Sequence, residues 1–281
     1  MESIDAVGEA LAGQGYLADR ALATSVFLAG ELEQPLLLEG EAGVGKTEAA
    51  RALAAATGAE LIRLQCHEGI DVHHALYDWD HPRQLLALRA AESGPPSPDG
   101  EVDLWSERFL IRRPLMAALE ADGPVVLLID EVDRADDAFE AFLLELLSDY
   151  AVTVPELGTI RARSRPTVFL TSNRTRELHD ALKRRCLYHW IDYPDPEREL
   201  AILAAQAPGV PEGIARRVCA GVARLREQEL YKLPGVGETI AWGRALTALG
   251  GAATPVDALG TVLKVREDLD RVRGSGVLEG V

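Results

Sequence analysis

Eight consecutive residues, Gly40-Glu41-Ala42-Gly43-Val44-Gly45-Lys46-Thr47, constrain this chain more than any other stretch. They fit the pattern G-x-x-x-x-G-K-[ST]. Residues 34–38 before them read as a short buried strand running out at Glu39-Gly40, and residues 47–57 after them are strong helix formers. A glycine-rich turn at such a junction lets backbone N–H groups converge on phosphate oxygens, and the helix N-terminus adds its dipole. Lys46 is then expected to reach the β and γ phosphates of ATP, and Thr47 to ligate Mg²⁺. A merely structural glycine turn is the competing reading, and the flanking strand and helix weigh against it.

The rest of the chain extends this unit. Residues 60–64 form a second strand candidate, residues 124–129 (Pro-Val-Val-Leu-Leu-Ile) are the most strand-like run, and residues 167–170 are a further core strand ending in Thr171-Ser172-Asn173. Helical spacing is predicted over residues 11–28, 84–92 and 114–121, and through Phe139, Phe142, Leu143, Leu146 and Leu147. Residues 94–100, with three prolines, read as a loop or insertion, and residues 153–163, broken by Pro155 and Gly158, as a β-hairpin. Buried strands alternating with helices predict an α/β fold with a parallel, doubly wound sheet. After Tyr193-Pro194-Asp195-Pro196 the strand signals stop, and residues 214–225, 240–249 and 256–272 keep only helical periodicity. The expected division is an α/β nucleotide-binding domain over 1–193, with an insertion around 67–112 and the hairpin around 153–164, and a helical lid over 194–281.

Charge narrows the function. Twenty-nine Lys and Arg against 45 Asp and Glu give a net charge of −16, which disfavours binding to a phosphate backbone and so to nucleic acid. The three cysteines, Cys66, Cys186 and Cys219, are too scattered for a disulfide framework or a paired-Cys zinc site and fit a reducing cytoplasm. The N-terminus has no signal-peptide pattern, and no apolar run reaches the ~20 residues of a membrane span. A soluble, cytoplasmic protein is expected.

Two acidic residues carry the expected chemistry. The apolar strand delivers Asp130 and Glu131 at its carboxyl end, where open α/β sheets bind ligands. Asp130 is expected to hold Mg²⁺ through water, and Glu131 to orient and deprotonate the attacking water. A solvated acidic loop running on through Asp133, Asp136 and Asp137 is the alternative. Asn173 either polarises the same water or caps a turn. Lys183-Arg184-Arg185 is a basic cluster in an acidic chain. It is either a solvated helix end or the source of a guanidinium that reaches a neighbouring subunit's γ-phosphate. Cys66, His67, His73, His74 and His81 match no common zinc or copper spacing and read as a polar surface loop.

Gly40 to Thr47, Leu127-Leu-Ile-Asp130-Glu131, Thr171-Ser-Asn173 and Leu182-Lys-Arg-Arg-Cys-Leu, in that order and followed by a helical lid, resemble an AAA+ ATPase. Phe109-Leu-Ile-Arg-Arg-Pro-Leu-Met-Ala-Ala-Leu and Leu233-Pro-Gly-Val-Gly-Glu-Thr-Ile-Ala-Trp242 are similar to the MoxR branch. Leu64-Gln-Cys-His-Glu-Gly, Ala75-Leu-Tyr-Asp-Trp79 and Arg185-Cys-Leu-Tyr-His-Trp-Ile-Asp-Tyr-Pro194 are similar to CoxD-like proteins encoded with carbon monoxide dehydrogenase. The resemblance implies a homo-oligomeric ring, usually a hexamer, with ATP between subunits and Arg184 or Arg185 as arginine finger, Arg185 lying nearer the helix end. It also implies a chaperone that matures a metalloenzyme client, here molybdenum-copper carbon monoxide dehydrogenase, beside a partner with a von Willebrand factor A domain. Rubisco, nitric oxide reductase and gas vesicles are the alternative clients within the branch, and a helicase loader is the alternative outside it. Tyr77 and Trp79 fall where such rings carry client-gripping loops, and ordinary packing accounts for them equally well. One departure stands out: many MoxR proteins have a lid arginine at a helix start where this chain has Glu238-Thr239, and the nearest candidate for that sensor-2 role is Arg244.

Overall fold

The run at residues 125–130 is buried at every position, so it must have strands on both sides and cover on both faces. The computed structural model, which describes residues 1–93, 103–250 and 254–280, supplies both. Its strands are β1 (Leu36–Gly40), β2 (Glu60–Gln65), β3 (Tyr77–Trp79), β4 (Leu110–Arg112), β5 (Val125–Asp130), β6 (Ala151–Val154), β7 (Gly158–Arg161), β8 (Thr167–Ser172) and β9 (Leu187–Ile191). Five of them form one sheet in the order β2-β5-β8-β1-β9, with every neighbouring pair parallel.

Helices cover the sheet. The first eight are α1 (Ile4–Gly13), α2 (Arg20–Glu31), α3 (Lys46–Thr57), α4 (Val72–Ala75), α5 (His81–Ser93), α6 (Pro114–Glu120), α7 (Asp137–Asp149) and α8 (Asp180–Arg185). Alternation within the apolar strands sorts side chains between two cores. Leu36, Leu38, Val126, Leu128 and Phe169 pack with α1, α2 and α3, whereas Leu37, Leu127, Ile129, Val168 and Leu170 pack toward α6 and α7. The doubly wound parallel sheet is therefore the architecture that the alternating strands and helices predict.

Several elements differ from expectation. The single helix expected over 11–28 is two, because the chain turns at Gly15 in a left-handed conformation and Asp19 recaps α2 by accepting the Leu22 N–H at 2.7 Å. Strand β9 has no counterpart in the periodicity reading. Its Leu-Tyr-His-Trp-Ile sequence is only half-buried, as suits an edge strand, and it pairs with β1 from Leu36↔Leu187 onward. β3 and β4 pair antiparallel and close off the stretch between them, a link no local pattern announces. The expected hairpin is β6–β7, starting at Ala151 rather than Thr153. The proline-rich loop at 94–100 lies outside the described residues.

The C-terminal region is helical: α9 (Pro196–Gln206), α10 (Glu212–Arg226), α11 (Val236–Leu249), α12 (Leu259–Val262) and α13 (Arg266–Ser275). The single stretch expected over 256–272 is instead a 3-10 turn followed by α12 and α13. These helices pack around Trp242, which is fully buried and donates its indole N–H to the Pro255 carbonyl at 3.1 Å. Glu199, 1% exposed, anchors the region: Arg226 donates to both of its oxygens (2.7 and 2.8 Å), and the Thr239 hydroxyl donates at 2.5 Å. Arg226 also donates to the Pro234 carbonyl and lies 4.4 Å over the Tyr193 ring.

Removing one member of a buried pair strands the other. Arg226→Met is expected to lower unfolding stability by about 3–5 kcal/mol in chemical denaturation. Arg216→Met, which breaks only an exposed pair with Glu212, should cost less than about 0.5 kcal/mol. Equal losses in the two variants would contradict the anchoring role of Glu199.

Candidate functional site

β1 carries the chain into the loop at 41–45, and α3 leaves it at Lys46. Gly40 has no alternative, since a Cβ there would lie 2.3 Å from the Ile191 carbonyl oxygen of β9. The N-cap of α3 is Gly45, which provides no side-chain acceptor, so the first N–H groups of a twelve-residue helix are left without a side-chain partner at the loop.

Lys46 is 6% exposed and donates to the carbonyls of Gly40 (2.8 Å) and Glu41 (2.7 Å). Burial pushes its pKa down, against the pull of Asp133, Glu41, Asp130 and Glu131. Among the described residues no carboxylate comes within ion-pair distance of it. An ammonium has three donors, so two carbonyls leave one for an anion in the cleft.

The two acidic residues at the end of β5 differ in surroundings. Asp130 is 2% exposed; its Oδ1 accepts from Thr47 Oγ1 (2.9 Å) and Thr171 Oγ1 (2.5 Å). Its Oδ2 accepts from Arg63 Nε (2.9 Å) and a terminal Arg63 nitrogen (2.5 Å). Glu131 sits in the left-handed region (φ 54, ψ 50), a conformation that costs a non-glycine residue about 1 kcal/mol or more. Its N–H donates to Thr171 Oγ1 at 2.9 Å, so one hydroxyl ties down both acids. Its carboxylate accepts from Gln65 Nε2 at 3.0 Å, and Gln65 in turn accepts from Arg63.

These groups open onto a cleft of about 650 Å³ between the sheet edge and the helical region. Lys46, Thr47, Asp130, Glu131 and Asn173 line it, along with Gly43, Val44 and Gly45. Leu17, Leu22, Ile202 and Ile240 add apolar surface to the lining, and Asp19, Asp192, Asp195 and Arg198 add charge. An unpaired buried ammonium, an uncapped helix N-terminus and two hydroxyls converging on a carboxylate fit a nucleotide's phosphates with a divalent cation.

Asp133 is not part of a solvated loop. It is 2% exposed, and its Oδ2 accepts from the N–H groups of Asn173 (3.2 Å) and Thr175 (2.8 Å) and from Thr175 Oγ1 (2.7 Å). It thereby hangs the Asn173 turn beside Glu131. Asp136 caps α7 through the Phe139 N–H. Asp133 is thus a buried support, Asp136 a helix cap and Asp137 exposed, while Asp130 and Glu131 line the cleft.

Three predicted residues are not brought to this cleft. Arg184 and Arg185, at the end of α8, are exposed outside it, and Arg185 donates to Ser148 Oγ of α7. Arg244 donates to the Gln206 carbonyl at 3.0 Å and does not line the cleft either. Glu238 accepts the Gly235 N–H at 3.1 Å, and Thr239 is buried against Glu199. The lid arginine that does line the cleft is Arg198, held by Asp19 (3.0 Å) and the Leu17 carbonyl (2.9 Å). Nothing local in the sequence marks it.

Arg63, Gln65 and Thr171 join the site beyond the residues the sequence pattern predicts; the available signal is that Arg63 and Gln65 are polar residues two apart near the end of a strand that borders β5. Tyr77 and Trp79 are 8% and 7% exposed, edge to face in a row with Trp105, so packing accounts for them. The histidines pair separately, His67 with the Glu68 carbonyl, His74 with Asp71 and His81 with Gln84, while His73 meets the Tyr77 ring. Burial pushes the Cys66 thiol up to about 12, which keeps it protonated at neutral pH.

The helical region meets the loop backbone to backbone. Val236 N–H donates to the Gly43 carbonyl at 2.9 Å, and a Cβ on Gly235 would fall 2.7 Å from Gly43 Cα. Gly235→Ala must therefore push the lid off the loop. Nucleotide affinity is expected to fall about tenfold, the size of losing well-placed contacts in the bound state. Titration with a fluorescent ATP analogue checks it, and unchanged affinity in a folded variant would contradict it.

The family model for the AAA domain (dynein-related subfamily) matches residues 35–186, more than half of the chain and the whole span from the start of β1 to the end of α8. No curated protein matches the sequence. With a five-stranded parallel sheet, this loop and this cleft, the chain belongs to the AAA domain family, dynein-related subfamily, and is an AAA+ ATPase core followed by a helical lid.

Proposed function

We propose that this protein is a MoxR-type AAA+ ATPase that hydrolyses Mg·ATP in a homo-oligomeric ring and uses the energy to remodel a metalloenzyme client in the cytoplasm. The observation that carries the reading is the convergence of an unpaired buried Lys46 with Thr47, Asp130 and Glu131 on one cleft.

In this reading Lys46 and the first N–H groups of α3 bind the β and γ phosphates. Thr47 and Asp130 would hold Mg²⁺, which would supply positive charge against the phosphate oxygens. Glu131 accepts a proton from the water that attacks the γ-phosphorus, and the bond to the bridging oxygen breaks to leave ADP. Thr171 fixes the direction of Glu131 through its backbone, and Asn173, hung on Asp133, orients the water. Arg185 of a neighbouring copy completes the charge around the γ-phosphate, with Arg184 beside it. Their exposure at the end of α8, away from their own cleft, favours action in trans. Arg198 stands where a lid arginine can face the nucleotide, and Arg244 braces α9.

The client follows from resemblance. The MoxR and CoxD-like motifs point to molybdenum-copper carbon monoxide dehydrogenase, with a von Willebrand factor A domain protein as the adaptor. The net charge of −16 favours a protein client over nucleic acid.

Three variants test the chemistry. Lys46→Ala should lose nucleotide binding. Glu131→Gln should bind ATP and hydrolyse it about 10²-fold or more slowly, the loss expected for a general base. Arg185→Ala should bind ATP but hydrolyse poorly, and mixing it with Glu131→Gln should restore activity at interfaces that pair an intact Glu131 with an intact Arg185. Near-normal turnover by Glu131→Gln, or no rescue on mixing, would contradict the assignment.

A further inference from the structure

Arg63 is a cation placed on the carboxylate that the proposed metal site needs. It lies on β2 opposite Leu128 of β5, and its guanidinium runs along the sheet to the strand end. Two of its nitrogens, Nε at 2.9 Å and a terminal nitrogen at 2.5 Å, donate to the same oxygen, Asp130 Oδ2. The other oxygen already takes the hydroxyls of Thr47 and Thr171. The Asp130 side chain is 3% exposed and that of Arg63 is 41% exposed, so the acid cannot leave the site and the arginine can.

We propose that Arg63 is a tethered competitor for the magnesium position, a cation that Mg²⁺ must displace from Asp130. The inference rests on the ATPase reading above. A buried carboxylate needs a counter-charge, and Arg63 provides one. A divalent cation held by Thr47 and Asp130, directly or through its own water, would face the guanidinium across one carboxylate, and two like charges at that separation repel. Displacement needs no new hydrogen bonds within the protein, because a partly exposed guanidinium returns to water. It also removes the donor that Arg63 gives to Gln65, the residue whose amide holds Glu131. Cation binding at one acid is thus transmitted to the other.

A purely structural Arg63 would predict something different: loss of the arginine would cost stability and leave the metal requirement alone. The deciding measurement is binding of a fluorescent ATP analogue as a function of Mg²⁺ concentration, for the wild type, Arg63→Gln and Arg63→Lys, with thermal melting of each. The Mg²⁺ concentration for half-maximal binding should fall about tenfold in Arg63→Gln, as expected from relieving one screened repulsion a few ångströms away. Arg63→Lys keeps the charge but not the paired contact, and should fall about two- to threefold. Without nucleotide, Arg63→Gln should melt below the wild type, and saturating Mg·ATP should close that gap, since a ligand stabilises the form it binds.

An unchanged or raised Mg²⁺ requirement in Arg63→Gln would overturn the proposal, as would a melting gap that persists with saturating Mg·ATP. If Arg63→Gln does not fold, Arg63→Lys decides, and an unchanged midpoint there overturns it. A wild type that binds no ATP at any Mg²⁺ concentration would overturn the ATPase reading and this proposal with it. Wild-type binding with Arg63 variants that behave identically overturns this proposal alone.

Discussion

A carboxylate shut away from water has to be surrounded by donors, and meeting that need at Asp130 organises the site. Its partners come from three separate elements: Thr47 from α3, Thr171 from β8 and Arg63 from β2. Each bond crosses the carboxyl end of the sheet, so the acid at the end of β5 joins the strands on either side of it to the phosphate-binding helix. Thr171 extends the arrangement by accepting the Glu131 N–H, which holds that residue in a backbone conformation it would otherwise avoid. The strain sits at the very residue proposed to handle the proton.

The lid is arranged around a second buried acid. Glu199 gathers Arg226 and Thr239, and Arg226 reaches on to the Pro234 carbonyl. Those bonds fix the turn from Pro234 to Thr239, whose Gly235 and Val236 lie against Gly43. The contact is made by two backbones with no room for a Cβ between them. A shift in the phosphate-binding loop would therefore be passed to the lid through this backbone contact.

What could be read from the residues in order was whatever the chemistry concentrates in one short run. The loop from Gly40 to Thr47, the strand ending in Asp130 and the core strand before Asn173 are each defined by neighbouring residues, and the sheet class follows from their alternation. The rest depends on partners far apart in sequence. β9 is half-polar and becomes a strand only because β1 offers it an open edge. Arg63 and Gln65 look like polar interruptions of a strand until β2 is seen to lie beside β5. Asp133 reads as one more surface acid, yet it supports the Asn173 turn from within. Arg244 is close in sequence to the expected lid arginine, but its place along α11 aims it at the Gln206 carbonyl and not at the cleft.

The central claim is that this core works as a nucleotide-assembled ring in which one copy supplies Arg185 to the site of the next. Native mass spectrometry of Glu131→Gln, with and without Mg·ATP, tests it most directly, because the variant should hold ATP without consuming it. A ring, six subunits by the family resemblance, that forms with nucleotide is the predicted result. A chain that stays monomeric with Mg·ATP bound would contradict the claim, since Arg185 would then have no phosphate to reach.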